Sequence, residues 1–268
     1  MVQKLLKSSL PLFIAGPCSI ESEQVAMVTA EKVAELSERY SGKASFVYKS
    51  SFLKDNRTSP GTWTGPGMQE GLGVLKKVSD TFGLPVITDI HQADQAAPAA
   101  QVCDALQIPA FLCRQTSLLE AAGATGLPLN IKKGQFMAPL NMKGAVEKAR
   151  LAGSEEVLLT ERGTFFGYGD LVVDMRSLSI LDDLCDGVIM DLTHSLQKPG
   201  AAGTSSGGDR SFAMNMAGAA AAWGISGMFI ETHPDPSSAL SDSAVMLDFQ
   251  SFEEAVERAM EHWRGSHG

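Results

Sequence analysis

The sequence predicts an α/β fold, a single (β/α)8 barrel domain spanning residues 1–268, on three observations. Eight short apolar runs alternate with helix-patterned segments along the whole chain. No stretch has the composition of a linker between domains, and 268 residues is an ordinary size for one such barrel. Cysteine, histidine, carboxylate and basic residues recur at or just beyond the C-terminal ends of the apolar runs, where a barrel gathers its chemistry at one mouth. A doubly wound open sheet is the alternative, but no GxGxxG follows the first strand.

The first strand lies within residues 11–21, PLFIAGPCSIE, where an apolar run opens through Gly16 and Pro17 into Cys18. Ser22 caps a helix whose apolar residues Val25, Val28, Val33, Leu36 and Tyr40 lie at helical spacing. Residues 45–51, SFVYKSS, form the second strand, followed by a proline- and glycine-rich loop over 54–67 and a helix over 68–82. The third strand is 85–90, with an alanine-rich helix after His91, and the fourth is 105–111, with a helix near 116–122. The fifth and sixth strands are 127–132 and 156–160, separated by a helix over 142–152. A helix over 175–184 precedes the seventh strand, 187–192. Residues 197–210, QKPGAAGTSSGGDR, have the composition of a mobile lid. The eighth strand is 227–230, and Ser251 with Glu254 reads as a capping box for a last helix carrying Phe252, Val256, Met260 and Trp263 on one face.

The overall charge of -9 and the pI near 5.1 argue against nucleic acid or an anionic membrane surface as the main partner. Cys18, Cys103, Cys113 and Cys185 form no CxxC pair, which fits reduced thiols in a cytoplasm. The first residues are too broken in hydropathy for a signal peptide. Residues 211–230 carry no charge, yet Asn215, the serines and the glycines there read as a helix followed by a buried strand rather than a membrane span.

Against this acidic background the basic residues stand out. Lys49, Lys54 and Arg57 fall within nine residues, followed by Thr58 and Ser59, and Lys132 and Arg162 end or follow later strands. Lysine supplies a mobile point charge and arginine a planar fork, so such a set suits small, multiply charged anions, and two phosphorylated substrates would explain its size. Cys18, His194, Glu231 and Asp242 offer one sulfur, one nitrogen and two carboxylates, a set that suits zinc, ferrous iron or manganese. His91 and His233 also follow strands and compete for the imidazole position, His233 most strongly because it lies two residues from Glu231.

The segments AGPCSIES, KSSFLKDNRTSP, QIPAFLCRQT, NIKKGQF, LLTERGTFFGYG, DLTHSLQKPG and ETHPDPSSALSD, in this order over about residues 12–242, resemble the 3-deoxy-D-manno-octulosonate 8-phosphate synthases. The resemblance implies a (β/α)8 barrel that condenses phosphoenolpyruvate with D-arabinose 5-phosphate and water, releases phosphate, and serves lipopolysaccharide synthesis. It implies that Lys49, Lys54, Gln107, Ala110, Lys132 and Arg162 hold phosphoenolpyruvate, and that Asn56, Arg57 and Thr58 take the sugar phosphate. Asp89, Pro109 and Phe111 would line the sugar, while Cys18, Lys54, His194 and Asp242 would serve catalysis. The family's metal-independent branch carries asparagine at the position of Cys18 and its metal-dependent branch cysteine, so a divalent metal on Cys18, His194, Glu231 and Asp242 is implied here. A cytoplasmic homotetramer, with part of the phosphate pocket supplied by a neighbouring subunit, is implied as well.

Three rivals remain open on sequence. The 3-deoxy-7-phosphoheptulonate synthases, which take erythrose 4-phosphate, share the four metal ligands, but their second loop reads KPRTSP where this chain has Asp55 and Asn56 between Lys54 and Arg57. A Schiff-base aldolase would use Lys132 or Lys49 as nucleophile. A non-catalytic phosphosugar-binding or metal-storage barrel would bind without releasing phosphate.

Overall fold

A computed structural model of the chain describes residues 4–6, 10–55, 63–199 and 207–264. Eight parallel strands close into one barrel: β1 (Leu12–Gly16), β2 (Ser45–Lys49), β3 (Val86–Asp89), β4 (Ala105–Ile108), β5 (Leu129–Lys132), β6 (Val157–Glu161), β7 (Gly187–Asp191) and β8 (Gly227–Glu231). Each is followed by a helix: α1 (Glu23–Arg39), α2 (Met68–Phe82), α3 (Ala96–Ala100), α4 (Thr116–Gly123), α5 (Lys143–Ala152), α6 (Arg176–Asp182), α7 (Ala213–Trp223) and α8 (Phe249–His262). The expected TIM barrel is therefore the observed architecture.

Alternation along the strands sorts the core into two layers. Leu12 and Ile14 point inward with Val47, Ile87, Ala105, Leu158, Ile189 and Phe229 to fill the barrel, while Phe13 and Ala15 point outward into the layer beneath the helices. Leu5 joins the inner cluster, and the Glu156 carboxylate, just before β6, accepts from the Leu5 and Leu6 amides at 2.7 and 3.2 Å. This ties the N-terminal segment across the end of the barrel opposite the mouth.

Closure sets the site, because it makes β7, β8 and β1 consecutive neighbours. Gly16 pairs with Glu231, and the Thr232 amide donates to the Gly16 carbonyl at 3.0 Å. On its other side β1 approaches β2 so closely that a Cβ on Gly16 would lie 2.1 Å from the Lys49 carbonyl oxygen. With a φ of +154° as well, only glycine fits this step immediately before the Cys18 turn.

Several boundaries and faces differ from the sequence expectation. Ser22 does cap α1, accepting from the Val25 amide at 3.2 Å, but the buried face is Ala26, Thr29, Ala30, Val33 and Leu36, and Val28 is exposed. Small residues let α1 lie close on the sheet, and that stripe wins over the one through Val28. The last helix starts earlier than a Ser251 cap implies: Asp248 is the cap, accepting from the Ser251 amide at 2.7 Å, while Glu254 bonds Gln250 instead. A cap of this kind contributes about 1 kcal/mol. The fourth strand stops at Ile108, and Ala110–Leu112 is a 3-10 turn. An unforeseen antiparallel ribbon, Thr164–Gly167 with Asp170–Val172, rises after β6.

The glycine-rich segment is anchored by a short ribbon pairing Gln197–Lys198 with Gly207–Gly208, and residues 200–206 of the expected lid lie outside the described residues. The uncharged stretch before β8 is the eleven-residue α7, and no helix among the described residues is long and apolar enough to cross a membrane.

Candidate active site

At the mouth the inward-facing residues turn from apolar to polar, and a belt of hydrogen bonds crosses β3 to β6. Asp89 accepts from Gln107 and from Ser51, Asn130 donates to the Gln107 carbonyl at 2.8 Å, and Thr160 donates to the Asn130 carbonyl at 2.7 Å. Each member of this belt is buried and satisfied, so it forms a rigid floor beneath the mouth.

The expected cations stand on that floor. Lys49, the last residue of β2, donates to the Cys18 carbonyl at 3.0 Å and lies 3.4 Å from Asp89 and 3.6 Å from Glu231. Lys54 approaches Asp89 at 3.8 Å. Lys132, the last residue of β5, sits 2.6 Å from Asp191 and 3.4 Å from the centre of the Phe229 ring. Arg162, one residue past β6, is buried; its Nη2 donates to the Gln197 carbonyl at 2.6 Å, while its Nη1 has no hydrogen-bond partner among the described residues. Lys49, Lys54, Lys132 and Arg162 are thus matched by Asp89, Asp191, Glu231 and Asp242. Burial, opposed by the field of Asp191, lowers the pKa of both Lys132 and Arg162. Burial would lower Lys54 as well, but the carboxylates of Asp89, Glu231 and Asp242 outweigh it and hold that ammonium firmly charged.

Three of the four candidate metal ligands cluster, and the fourth, His194, stands beside one of them. One donor atom each from Cys18, Glu231 and Asp242 lies within 4.8 Å of the other two. His194 flanks them, its Nε2 3.5 Å from Glu231 Oε1 and its Nδ1 2.8 Å from Asp191 Oδ2. Asp191 can only accept, so it draws the ring proton to Nδ1 and leaves the Nε2 lone pair facing a carboxylate. That pairing repels unless a proton or cation lies between. Glu231 is fully buried, and neither of its oxygens accepts a hydrogen bond among the described residues, an arrangement that is costly without a cation. Burial first, then the charges of Asp242 and Glu231, push the Cys18 thiol well above its ordinary value, and it donates to Asp242 Oδ2 at 2.9 Å. Asp242 is held low despite burial by His194 and Lys54 and by bonds from Cys18 and Ser241, and its φ of +50° is a left-handed conformation that aspartate tolerates. A sulfur, an imidazole nitrogen and two carboxylates, one of them the unsatisfied buried Glu231, are a donor set that fits a divalent transition metal.

The competing imidazoles are placed elsewhere. His233 accepts from the Asp235 amide at 3.0 Å and lies 3.5 Å from Glu21, whose other oxygen takes the Leu240 amide at 2.8 Å. It therefore braces the loop bearing Asp242 instead of joining Cys18. His91 stands beside Asp89, and burial lowers its pKa. Pro109, Ala110 and Phe111 form the turn leaving β4 at the mouth, with Phe111 exposed. Asn56, Arg57 and Thr58 lie outside the described residues.

Sequence reasoning missed Asp191, Gln197 and Ser241. Asp191 had a readable signal, a carboxylate three residues before a candidate ligand histidine. It also missed a buried pair behind the mouth: Lys133 approaches Glu161 at 3.4 Å, and Glu161 accepts from the Gly163 amide and the Ser177 hydroxyl, both at 2.7 Å. These residues alternate with Lys132 and Arg162 and fix their backbone. Lys133→Met is expected to lower the unfolding free energy by about 3–5 kcal/mol, because Glu161 would remain buried without its partner. Urea denaturation measures this, and an unchanged midpoint would show that the pair carries no weight.

Known proteins place this geometry in context. The family model described as DAHP synthetase I family matches residues 7–263. A 2-dehydro-3-deoxyphosphooctonate aldolase of Desulfatibacillum aliphaticivorans is 51% identical over 247 residues, 90% of this chain and 88% of that protein. Proteins of the same name from Stenotrophomonas maltophilia (strain R551-3) and Magnetococcus marinus are 50% and 52% identical, covering 94% and 89% of this chain and 91% and 83% of their own. With a closed barrel, a cationic mouth and likeness of this extent, the chain belongs to the DAHP synthetase I family, among its 2-dehydro-3-deoxyphosphooctonate aldolases.

Proposed function

We propose that the barrel mouth condenses phosphoenolpyruvate with D-arabinose 5-phosphate and water to give 3-deoxy-D-manno-octulosonate 8-phosphate and phosphate, in a cytoplasmic homotetramer serving lipopolysaccharide synthesis. The observation that carries this reading is the juxtaposition of Cys18, His194, Glu231 and Asp242 with Lys49, Lys132 and Arg162 at one end of the barrel. The names of the relatives support the same reaction.

In this reading C3 of phosphoenolpyruvate attacks the aldehyde carbon, water adds to C2, and phosphate leaves by C–O cleavage. The proton given up by the water balances the one taken by the aldehyde oxygen. Lys49, Lys54, Lys132 and Arg162, with Gln107 and Ala110, hold the carboxylate and phosphate and screen the repulsion between two anionic substrates, which is chiefly a positioning effect. Lys54, held as an ammonium, suits donation to the aldehyde oxygen as negative charge grows there. Asp89 accepts from sugar hydroxyls, Pro109 and Phe111 line the sugar, and Asn56, Arg57 and Thr58 take its phosphate. Cys18, His194, Glu231 and Asp242 would hold zinc, ferrous iron or manganese, whose chemistry is to polarise or orient a reacting oxygen, worth several kcal/mol.

Asp55 and the adjoining Asn56, between Lys54 and Arg57, favour arabinose 5-phosphate over the shorter erythrose 4-phosphate. Phosphate release from phosphoenolpyruvate is expected with arabinose 5-phosphate at about 100-fold or more the kcat/KM found with erythrose 4-phosphate. Equal rates would favour the heptulonate reading, and ligand binding without phosphate release would favour the non-enzyme one. Borohydride with either phosphoenolpyruvate or pyruvate is expected to trap no lysine adduct, and an adduct on Lys132 or Lys49 would replace this mechanism with Schiff-base chemistry.

A further inference from the structure

The side-chain amide of Gln197 spans the cationic and the carboxylate parts of the site. Its carbonyl accepts from Arg162 Nη2 at 2.6 Å, and its NH2 donates to Asp242 Oδ1 at 2.7 Å. Arg162 can only donate and a carboxylate can only accept, so the amide can face one way only. Reversing it would set donor against donor and acceptor against acceptor.

The backbone that carries Gln197 is fixed from both sides. Gln197 closes the 3-10 turn His194–Leu196, its amide donating to the His194 carbonyl, and pairs with Gly208 in the short ribbon. A Cβ on Gly208 would meet Val245 Cγ1 at 2.1 Å and the Leu196 carbonyl at 2.9 Å, so the ribbon is packed tightly against the loop bearing Asp242. One short turn thus carries a proposed metal ligand, His194, at its start and the bridging amide at its end. Beyond the bridge, the buried Arg162 Nη1 has no partner among the described residues, and that edge of the guanidinium is the one offered to an anion.

We propose that Gln197 is a positioning residue that couples the metal site to the anion site, so that a cation on Asp242 and phosphoenolpyruvate on Arg162 each raise the affinity for the other. This rests on the metal and substrate reading above. When Asp242 is fixed by a cation, the amide is fixed with it, and Arg162 is held ready for the anion without a further ordering cost. Linkage makes the effect reciprocal. Gln197→Met keeps the volume and every formal charge in the site while removing both hydrogen bonds, so it separates the bridge from the through-space field of the cation.

The test is calorimetric titration of phosphoenolpyruvate into metal-stripped and zinc-loaded protein, with zinc affinity measured by chelator competition in its presence and absence. In the unmutated protein zinc is expected to tighten phosphoenolpyruvate by about tenfold, and the reverse by the same factor. In Gln197→Met the factor is expected to fall below about threefold. Gln197→Asn, whose amide is one methylene too short to span both partners, gives the same loss and stands in if the methionine variant does not fold. A factor retained in the variants, or no coupling in the unmutated protein, overturns the proposal. Failure of the unmutated protein to bind zinc and phosphoenolpyruvate at all overturns the underlying reading and this inference with it.

Discussion

Cys18→Ala is expected to lose bound metal and to lower turnover by about 1000-fold, since roughly 4 kcal/mol of transition-state stabilisation corresponds to three powers of ten. The thiol lies within 4.8 Å of both Glu231 and Asp242 and supplies the one soft donor of the set. Without it the proposed ligand set would be His194 with two carboxylates, a weaker set for zinc. Metal analysis and phosphate release on the same preparation measure both effects, and unchanged occupancy with an unchanged rate would remove the metal from the mechanism. Cys18→Asn should behave differently. An asparagine amide can donate to Asp242 Oδ2, where the thiol now donates at 2.9 Å, and so relieve the carboxylate without an ion. This variant is expected to keep measurable turnover in the presence of a chelator, as the asparagine branch of the resembling family implies. A well-folded but inert Cys18→Asn would count against that reading.

Lys132→Ala is expected to lower kcat/KM for phosphoenolpyruvate by about 100- to 1000-fold, the loss of charge-assisted hydrogen bonds at roughly 1.5–3 kcal/mol each. The same change takes from the buried Asp191 its ammonium partner at 2.6 Å and leaves it the bonds from His194, so a fall in stability of about 1.5–3 kcal/mol should accompany it. Lys132→Arg is not expected to rescue activity, because the ammonium sits 3.4 Å above the Phe229 ring and a planar fork cannot occupy that point while meeting Asp191. Steady-state kinetics with each substrate varied separates the roles. An unaltered KM for phosphoenolpyruvate with a raised KM for the sugar phosphate would move Lys132 to the other subsite.

Local pattern made the barrel readable, because a period of two or of 3.6 needs no knowledge of distant residues. It failed where two local solutions compete. In α1 a stripe through Val28 and a stripe through Ala26, Thr29 and Ala30 are both helical, and only the closeness of the sheet chooses the second. At α8 both Asp248 and Ser251 can cap, and the chain takes the earlier one because its carboxylate reaches the Ser251 amide. The ribbon after β6 has exposed aromatic residues, Phe166 and Tyr168, with positive φ, an arrangement that hydrophobic patterning does not anticipate.

What the sequence determined by itself is the stock of reactive groups and their placement after strand ends: a thiol, an imidazole, carboxylates, and several cations in an acidic chain. Which of them face one another is settled by the closed barrel and the loops above it. Barrel closure sets β7, β8 and β1 side by side, so Cys18 meets Glu231 across more than two hundred residues. Glu21 draws His233 away while Asp191 turns His194 in, although both histidines follow strands. Beyond a strand end a side chain's direction is set by partners reached through space, and no spacing along the chain encodes them.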